Sequence, residues 1–404
     1  MRPRWRVAII QKSIPSYRVT FFSLLRRELE ARGIELVLVC GDPVGNDRFK
    51  SDRGGVDWAH YRPHRHLRLG AREVIWQPVL DLARGADLVI VEQASKLLVN
   101  YVFLALQARS GSPGVALWGH GANLQRHSAS RIGEAIKVVA SRRARWWFAY
   151  TESTRRLLIT LGIPDSRITV VQNSIDTLAL RRAIADISDD ELVRYRDAWH
   201  STPGRTAVFI GGLYAEKRLK FMVQACSIVA AQLPQFRLLI AGDGPDRAVA
   251  EELERAYEFV TYVGRMDGRE RAALLRIADC LVMPGLVGLA IVDSFAAEAP
   301  LITTGVPYHS PEIEYLEDGV NGIVVPDVCS PEQFAKAVHD VLSDEGLNAL
   351  LRKGCRIAAE RYTNEEMVSR FADGIEQALR AYGRDARPVM RTRIRTRHPV
   401  IKRP

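Results

Sequence analysis

What most constrains this chain is a rhythm, in which short and almost wholly apolar runs are separated by stretches of helical period. In the first half Val7–Gln11, Ile34–Cys40, Leu88–Glu92, Val115–Trp118, Trp147–Thr151 and Ile168–Gln172 read as strands. In the second half Ala207–Ile210, Arg237–Ala241, Phe259–Val263, Cys280–Met283 and Leu301–Thr303 repeat the device. A strand with no polar face is covered on both sides, and an intervening helix is the crossover that parallel pairing needs. One such helix is legible near Val19–Arg32, where Phe22, Leu25 and Leu29 recur at three- and four-residue steps and Gly33 closes the run. The stretch Asp57–Arg72, rich in His and Arg, reads as irregular.

At 404 residues the chain is too long for one average core. The expected fold is α/β, with two doubly wound Rossmann-like domains facing a cleft and ligands at the carboxyl ends of the strands. Residues 1–180 form the first domain and 200–362 the second, and the polar helical segment Asp176–Pro203 contains the crossing between them. A last helix over 363–382 carries Met367, Phe371, Ile375 and Leu379 at four-residue steps, and it is expected to cross back to the first domain. Ser330 with Pro331, and Thr363 with Glu366, supply helix starts.

The charge of +10 is unevenly placed, for residues 383–404 hold eight basic residues against Asp385, with three prolines. Such a tail reads as unfolded and suits anionic lipid better than nucleic acid, since the rest is near neutral and carries no nucleic-acid motif. The basic, partly amphipathic stretch Arg126–Trp147 is a second place for peripheral membrane contact. Val7–Ile10 is too short for a signal-peptide core, and the apolar neighbourhood Leu97–Leu106 is broken by Asn100. Five scattered cysteines without a CxxC read as reduced thiols. The protein is expected in the cytoplasm, with room for peripheral contact on the inner face of the plasma membrane.

Met283–Glu312 carries the strongest local chemistry. An apolar run ends at Met283, turns through Pro284, Gly285 and Gly288, and enters a helical pattern over Leu289–Ala299. Backbone N–H groups at such a helix start, backed by the helix dipole, attract a phosphate. Asp293, four residues beyond Leu289, is placed to accept hydrogen bonds from sugar hydroxyls beside that phosphate.

The segments Ile210–Lys217 (IGGLYAEK), Ala241–Pro245 (AGDGP), Val263–Arg265 (VGR), Met283–Glu312 and Glu317–Val325 (EDGVNGIVV) occur in order. In the first half Trp118–Gly121 (WGHG), Tyr150–Glu152 (YTE) and Gln172–Asp176 (QNSID) join them. Together they resemble the GT-B glycosyltransferases of family 4. The resemblance implies transfer of a sugar, with retained anomeric configuration and no metal or other cofactor, from a nucleotide-sugar donor to a hydroxyl of a glycan or lipid-linked glycan. It implies donor binding by Gly211, Gly212, Lys217, Arg218, Gly242, Asp243, Arg265, Gly288, Leu289, Ala290 and Asp293. Lys217 matches the family's diphosphate lysine, and His120 its first-domain histidine near the donor sugar. Two departures stand out. The family's acidic pair has its second member at Asp293 but its first falls on Gly285, and Gly212 replaces an arginine for which Arg218 would compensate. Ser16, Tyr17 and Arg18 in the first strand-to-helix loop, and Glu92 and Asn100 with Lys96 after another strand, are acceptor-side candidates. A nucleotide-sugar epimerase of the same architecture and a non-catalytic partner subunit remain as alternatives.

Overall fold

A computed structural model of the chain describes residues 3–42, 54–69, 72–107, 109, 112–121 and 138–382. The first domain is built on a parallel sheet of β1 (Trp5–Ile10), β2 (Ile34–Cys40), β3 (His60–Tyr61), β6 (Leu88–Glu92), β7 (Gly114–Gly119), β8 (Trp146–Ala149) and β9 (Ile168–Val170). Their order is β3-β2-β1-β6-β7-β8-β9. Side-chain alternation along β1 explains why it is apolar throughout. Val7 and Ile9 enter one core layer with Phe21, Phe22 and Leu25, while Ala8 and Ile10 enter the opposite layer with Phe103 and Trp147.

The second domain holds β10 (Thr206–Ile210), β11 (Arg237–Ala241), β12 (Val260–Gly264), β13 (Cys280–Met283), β14 (Leu301–Thr304) and β15 (Gly322–Val325). They pair in parallel in the order β12-β11-β10-β13-β14-β15. Both sheets reverse direction of winding beside their first strand, and an open sheet of this kind leaves a crevice at that point. The core here is one cluster that includes Phe209, Leu239, Val282, Phe295 and Phe334. Helices Thr177–Ala185 and Asp189–Ala198 lead into this domain.

The stretch read as irregular is in part ordered. β4 (Arg65–Leu69) and β5 (Arg72–Trp76) form an antiparallel hairpin outside the main sheet. In β4 Leu67 and Leu69 alternate with His66 and Arg68, and so short an alternation among basic residues reads as loop. The last helix, Asn364–Tyr382, lies on the first sheet although it follows the second. There Phe371 stacks on Phe148 with ring centroids 4.3 Å apart and meets Trp118 edge-on at 4.9 Å.

The tail 383–404, and with it Arg126, Arg131, Glu134 and Lys137 of the basic stretch, lie outside the described residues. Within that stretch Arg142 donates to the Leu161 carbonyl (2.7 Å), and the Arg145 guanidinium lies over the Tyr382 ring. Among the described residues no helix is long and apolar enough to cross a membrane, and no disulfide joins the cysteines.

Candidate functional site

The carboxyl ends of β10, β11, β13 and β14 come together as four turns. After β10, Gly211 and Gly212 face the turn after β11, where a Cβ at Gly242 would lie 1.8 Å from the Gly211 carbonyl oxygen. That approach explains the glycine at 242, which also has φ +147°. Leu213 N–H donates to the Asp243 carbonyl (3.0 Å), locking the turns together. The Asp243 carboxylate accepts from Gly244 N–H (2.8 Å). Arg265, after β12, is exposed and pairs with Asp267 (2.8 Å).

Lys217 follows in a short 3-10 turn and is buried. Its Nζ donates to the Leu286 carbonyl (2.5 Å) and lies 5.3 Å from the Tyr214 ring centroid. This lysine therefore sits directly on the turn after β13. Gly285 makes the contact possible, since a Cβ there would be 2.0 Å from the Glu216 carbonyl oxygen and 2.8 Å from Lys217 Cα. Thus the position where the family's first acid would fall is filled by the lysine's own backbone. Gly212 has a similar cause: a Cβ there would meet the Tyr214 ring at 2.9 Å, so the tyrosine covers the turn.

Arg218 is engaged with the loops around it. Its backbone is left-handed (φ +59°), and its guanidinium donates to the Val328 carbonyl (2.6 Å) and the Pro284 carbonyl (3.3 Å). Those carbonyls make it a tie between loops.

Gly288 and Leu289 lead into the helix Ala290–Ala297, which starts without a side-chain cap. His309 braces this turn. Its Nδ1 accepts from Val287 N–H (3.0 Å), which leaves Nε2 to donate to the Thr304 carbonyl (2.7 Å). Burial lowers its pKa, with the bond to Thr304 opposing and Lys217 acting the same way as burial. Asp293, one turn into the helix, is buried and ion-paired to Arg271. Burial raises its pKa against the pull of Arg271.

Opposite stands the first domain. His120 follows β7, exposed on the cleft wall and edge-on to Tyr150 at 4.4 Å. The protein around it lowers its pKa, while Glu312 acts to raise it and Arg18 to lower it. The two walls are joined by direct contacts. Asn173 Nδ2 donates to the buried Glu312 carboxylate, and the Tyr315 hydroxyl donates to the Asn173 carbonyl (3.2 Å). Glu314 accepts from Glu152 N–H (2.7 Å) and Ser153 N–H (2.6 Å) at the start of helix Glu152–Thr160.

Two acceptor-side candidates are buried and have internal partners. Arg18 is buried at the junction, bonded to the Asn173 side chain and to Met367 Sδ (3.2 Å), and lies 5.2 Å from the Trp118 ring centroid. Asn100 is buried and its Nδ2 donates to the Glu92 carbonyl (2.8 Å), so it shapes the loop after β6. Ser16 and Tyr17 remain exposed beside the junction. Glu92 accepts from Lys12 N–H (3.1 Å).

Sequence reasoning missed Gln93, Asn173, His309, Glu314 and Tyr315 as site residues, and read Glu312 only as an acidic position after the phosphate turn. Asn173, His309 and Glu312 had a signal, since all three fall within motifs quoted above. The others act through partners far away in sequence.

Comparison with known proteins adds two family models. One described as Glycosyltransferase Family 4 matches residues 19–178, and one described as Glycosyl transferases group 1 matches 204–344. The chain is 29% identical over 146 residues to an alpha-D-kanosaminyltransferase of Streptomyces kanamyceticus, covering 35% of this chain and 37% of that protein. It is 27% identical over 300 residues to a GDP-mannose-dependent alpha-mannosyltransferase of Mycobacterium tuberculosis, covering 69% and 73%. Across several such relatives the alignments span only about two-fifths to half of the relative's length. In fold it resembles Anabaena HepE solved with UDP, at TM-score 0.68 and 16% identity over 92% of this chain and 99% of HepE.

Proposed function

We propose that this chain, which belongs to the GT-B glycosyltransferases of family 4, moves a sugar from a nucleotide-diphosphate donor to a hydroxyl acceptor with retained configuration. One observation carries the reading: Lys217, bonded to Leu286, lies on the turn that opens helix Ala290–Ala297, so a cation and a helix N-terminus share one place. A diphosphate is the ligand such a place suits, and UDP is what HepE was solved with. Asp293 then takes the ribose hydroxyls.

In the reaction the bond from the anomeric carbon to the β-phosphate oxygen breaks as the acceptor oxygen bonds to that carbon on the same face. The acceptor proton passes to the departing phosphate oxygen. Lys217 and the backbone amides of the turn stabilise the charge growing on that phosphate, which assigns charge neutralisation to the protein without a metal. His120, on the facing wall, orients the donor sugar. A glycan or lipid-linked glycan is the proposed acceptor, in polysaccharide or other cell-envelope glycoconjugate synthesis on the cytoplasmic side. Gly285, which brings no carboxylate to the donor sugar, favours a second reading as a non-catalytic partner subunit.

A thermal-shift panel of UDP-, GDP- and dTDP-sugars separates these readings. One donor at about 100 times its Kd adds about 2.7 kcal/mol, which raises Tm by roughly 2–4 °C. Lys217→Ala abolishes the shift. His120→Ala keeps the shift and loses transfer. If no nucleotide-sugar moves the wild-type Tm, the donor site is not there; if one does and no acceptor is glycosylated, the partner-subunit reading stands.

A further inference from the structure

His120 sits in a turn, Gly119–His120–Gly121, that one side chain grips at two points. Gln93, the first residue after β6, donates from Nε2 to the Gly121 carbonyl (2.8 Å) and accepts at Oε1 from Gly121 N–H (2.8 Å). Its own N–H donates to the Trp118 carbonyl (2.9 Å), continuing the β6–β7 pairing past the last strand residue. The approach is so close that a Cβ at Gly119 would lie 2.8 Å from Gln93 Cβ. Gly121 has φ +77°, a conformation that glycine adopts readily and other residues rarely do. An amide matches both an N–H and a carbonyl of one residue, which a carboxylate or a shorter amide does not.

We infer that Gln93 is a positioning residue for His120, fixing where the imidazole stands on the cleft wall through its paired hydrogen bonds to Gly121. The inference rests on the transferase reading for the role of His120, but not for the grip itself. Releasing the turn frees the ring from its fixed place against Tyr150. Among the described residues the Tyr150 ring at 4.4 Å, Glu312 and Arg18 act on the imidazole. Desolvation by the protein packed against it lowers its pKa, with Glu312 opposing and Arg18 acting the same way, so a ring that leaves this place titrates higher.

The test uses the full chain with Gln93→Ala and Gln93→Glu. Histidine ring resonances are followed by NMR against pH, with His120 assigned from His120→Gln. The expected result is that His120 titrates higher in Gln93→Ala than in the wild type, while His309 is unchanged. Gln93→Glu keeps only the acceptor half of the grip and adds a negative charge beside the ring, so His120 titrates higher there as well. With the donor that the thermal panel identifies, kcat falls roughly 10- to 100-fold and the donor KM stays within about threefold. An unchanged His120 titration overturns the inference, and so does a loss confined to Tm. The NMR readout needs no donor, so a chain that binds no nucleotide-sugar defeats the transferase reading while the titration still decides Gln93.

Discussion

Asp293 shows what a residue's spacing reveals and what it hides. Its place one turn into helix Ala290–Ala297 was legible, since three- and four-residue steps define a helix face. Its partner was not, because Arg271 lies on another helix and meets it only after the sheet has formed. The pair is asymmetric, with the Asp293 side chain 12% exposed and Arg271 31% exposed. Removing the arginine strands a carboxylate in a place that already disfavours its charge, whereas removing both charges strands nothing. Arg271→Met is therefore expected to cost about 1–3 kcal/mol, below the fully buried range because Arg271 reaches solvent. Adding Asp293→Asn should restore most of that loss, a coupling read from urea unfolding of the two single variants and the double. Additive effects would mean the two side chains do not support each other. Arg18 is a second case: its place in the first strand-to-helix loop was legible, but the Tyr17, Phe21 and Trp118 rings and Asn173 around it were not.

Among elements, the five-residue turn Pro311–Tyr315 joins the domains more directly than its length suggests. Glu312, Glu314 and Tyr315 all reach the first domain. Glu314 meets a specific need. Helix Glu152–Thr160 begins with N–H groups that lack helical partners; Thr151 takes that of Thr154, and Glu314 takes those of Glu152 and Ser153 across the junction. A carboxylate there also opposes the positive end of the helix dipole. Glu314→Ala should weaken domain association by about 0.5–2 kcal/mol, a cap-sized loss. It should widen the molecule in small-angle scattering, with the crossing segment Asp176–Pro203 cleaved faster by protease. Scattering and cleavage identical to the wild type would show that the contact is incidental. The long strands and helices were legible because their patterns are local, as with Ile34–Cys40 and Arg237–Ala241, whose strand bounds match the apolar runs. A turn whose function lies in its partners carries no such pattern, and the hairpin β4–β5 was hidden by its basic residues.

For the whole molecule, two cores are closed by one chain that visits them out of order. The second-domain core is complete without the last helix, none of whose residues enters it. The first-domain core is not: Met367, Val368, Phe371, Ala372, Ile375, Ala378 and Leu379 form one side of it. Four-residue spacing dictated that this helix bury a face. The choice of sheet comes from fit, with Phe371 flat against Phe148 and edge-on to Phe21 and Trp118. The two domains are thus unequal partners, because the first depends on sequence made after the second. Phe371→Ala should cost the first domain about 3–5 kcal/mol through lost contacts and the cavity left behind. Trp5, Trp118, Trp146 and Trp147 are buried in that domain, so its melting is followed by tryptophan fluorescence. The fluorescence transition should fall well below the wild-type temperature, while a calorimetric transition from the second domain stays nearly in place. Equal downward shifts of both would mean that the domains unfold as one unit, with the last helix as their shared keystone and not as a part of the first alone.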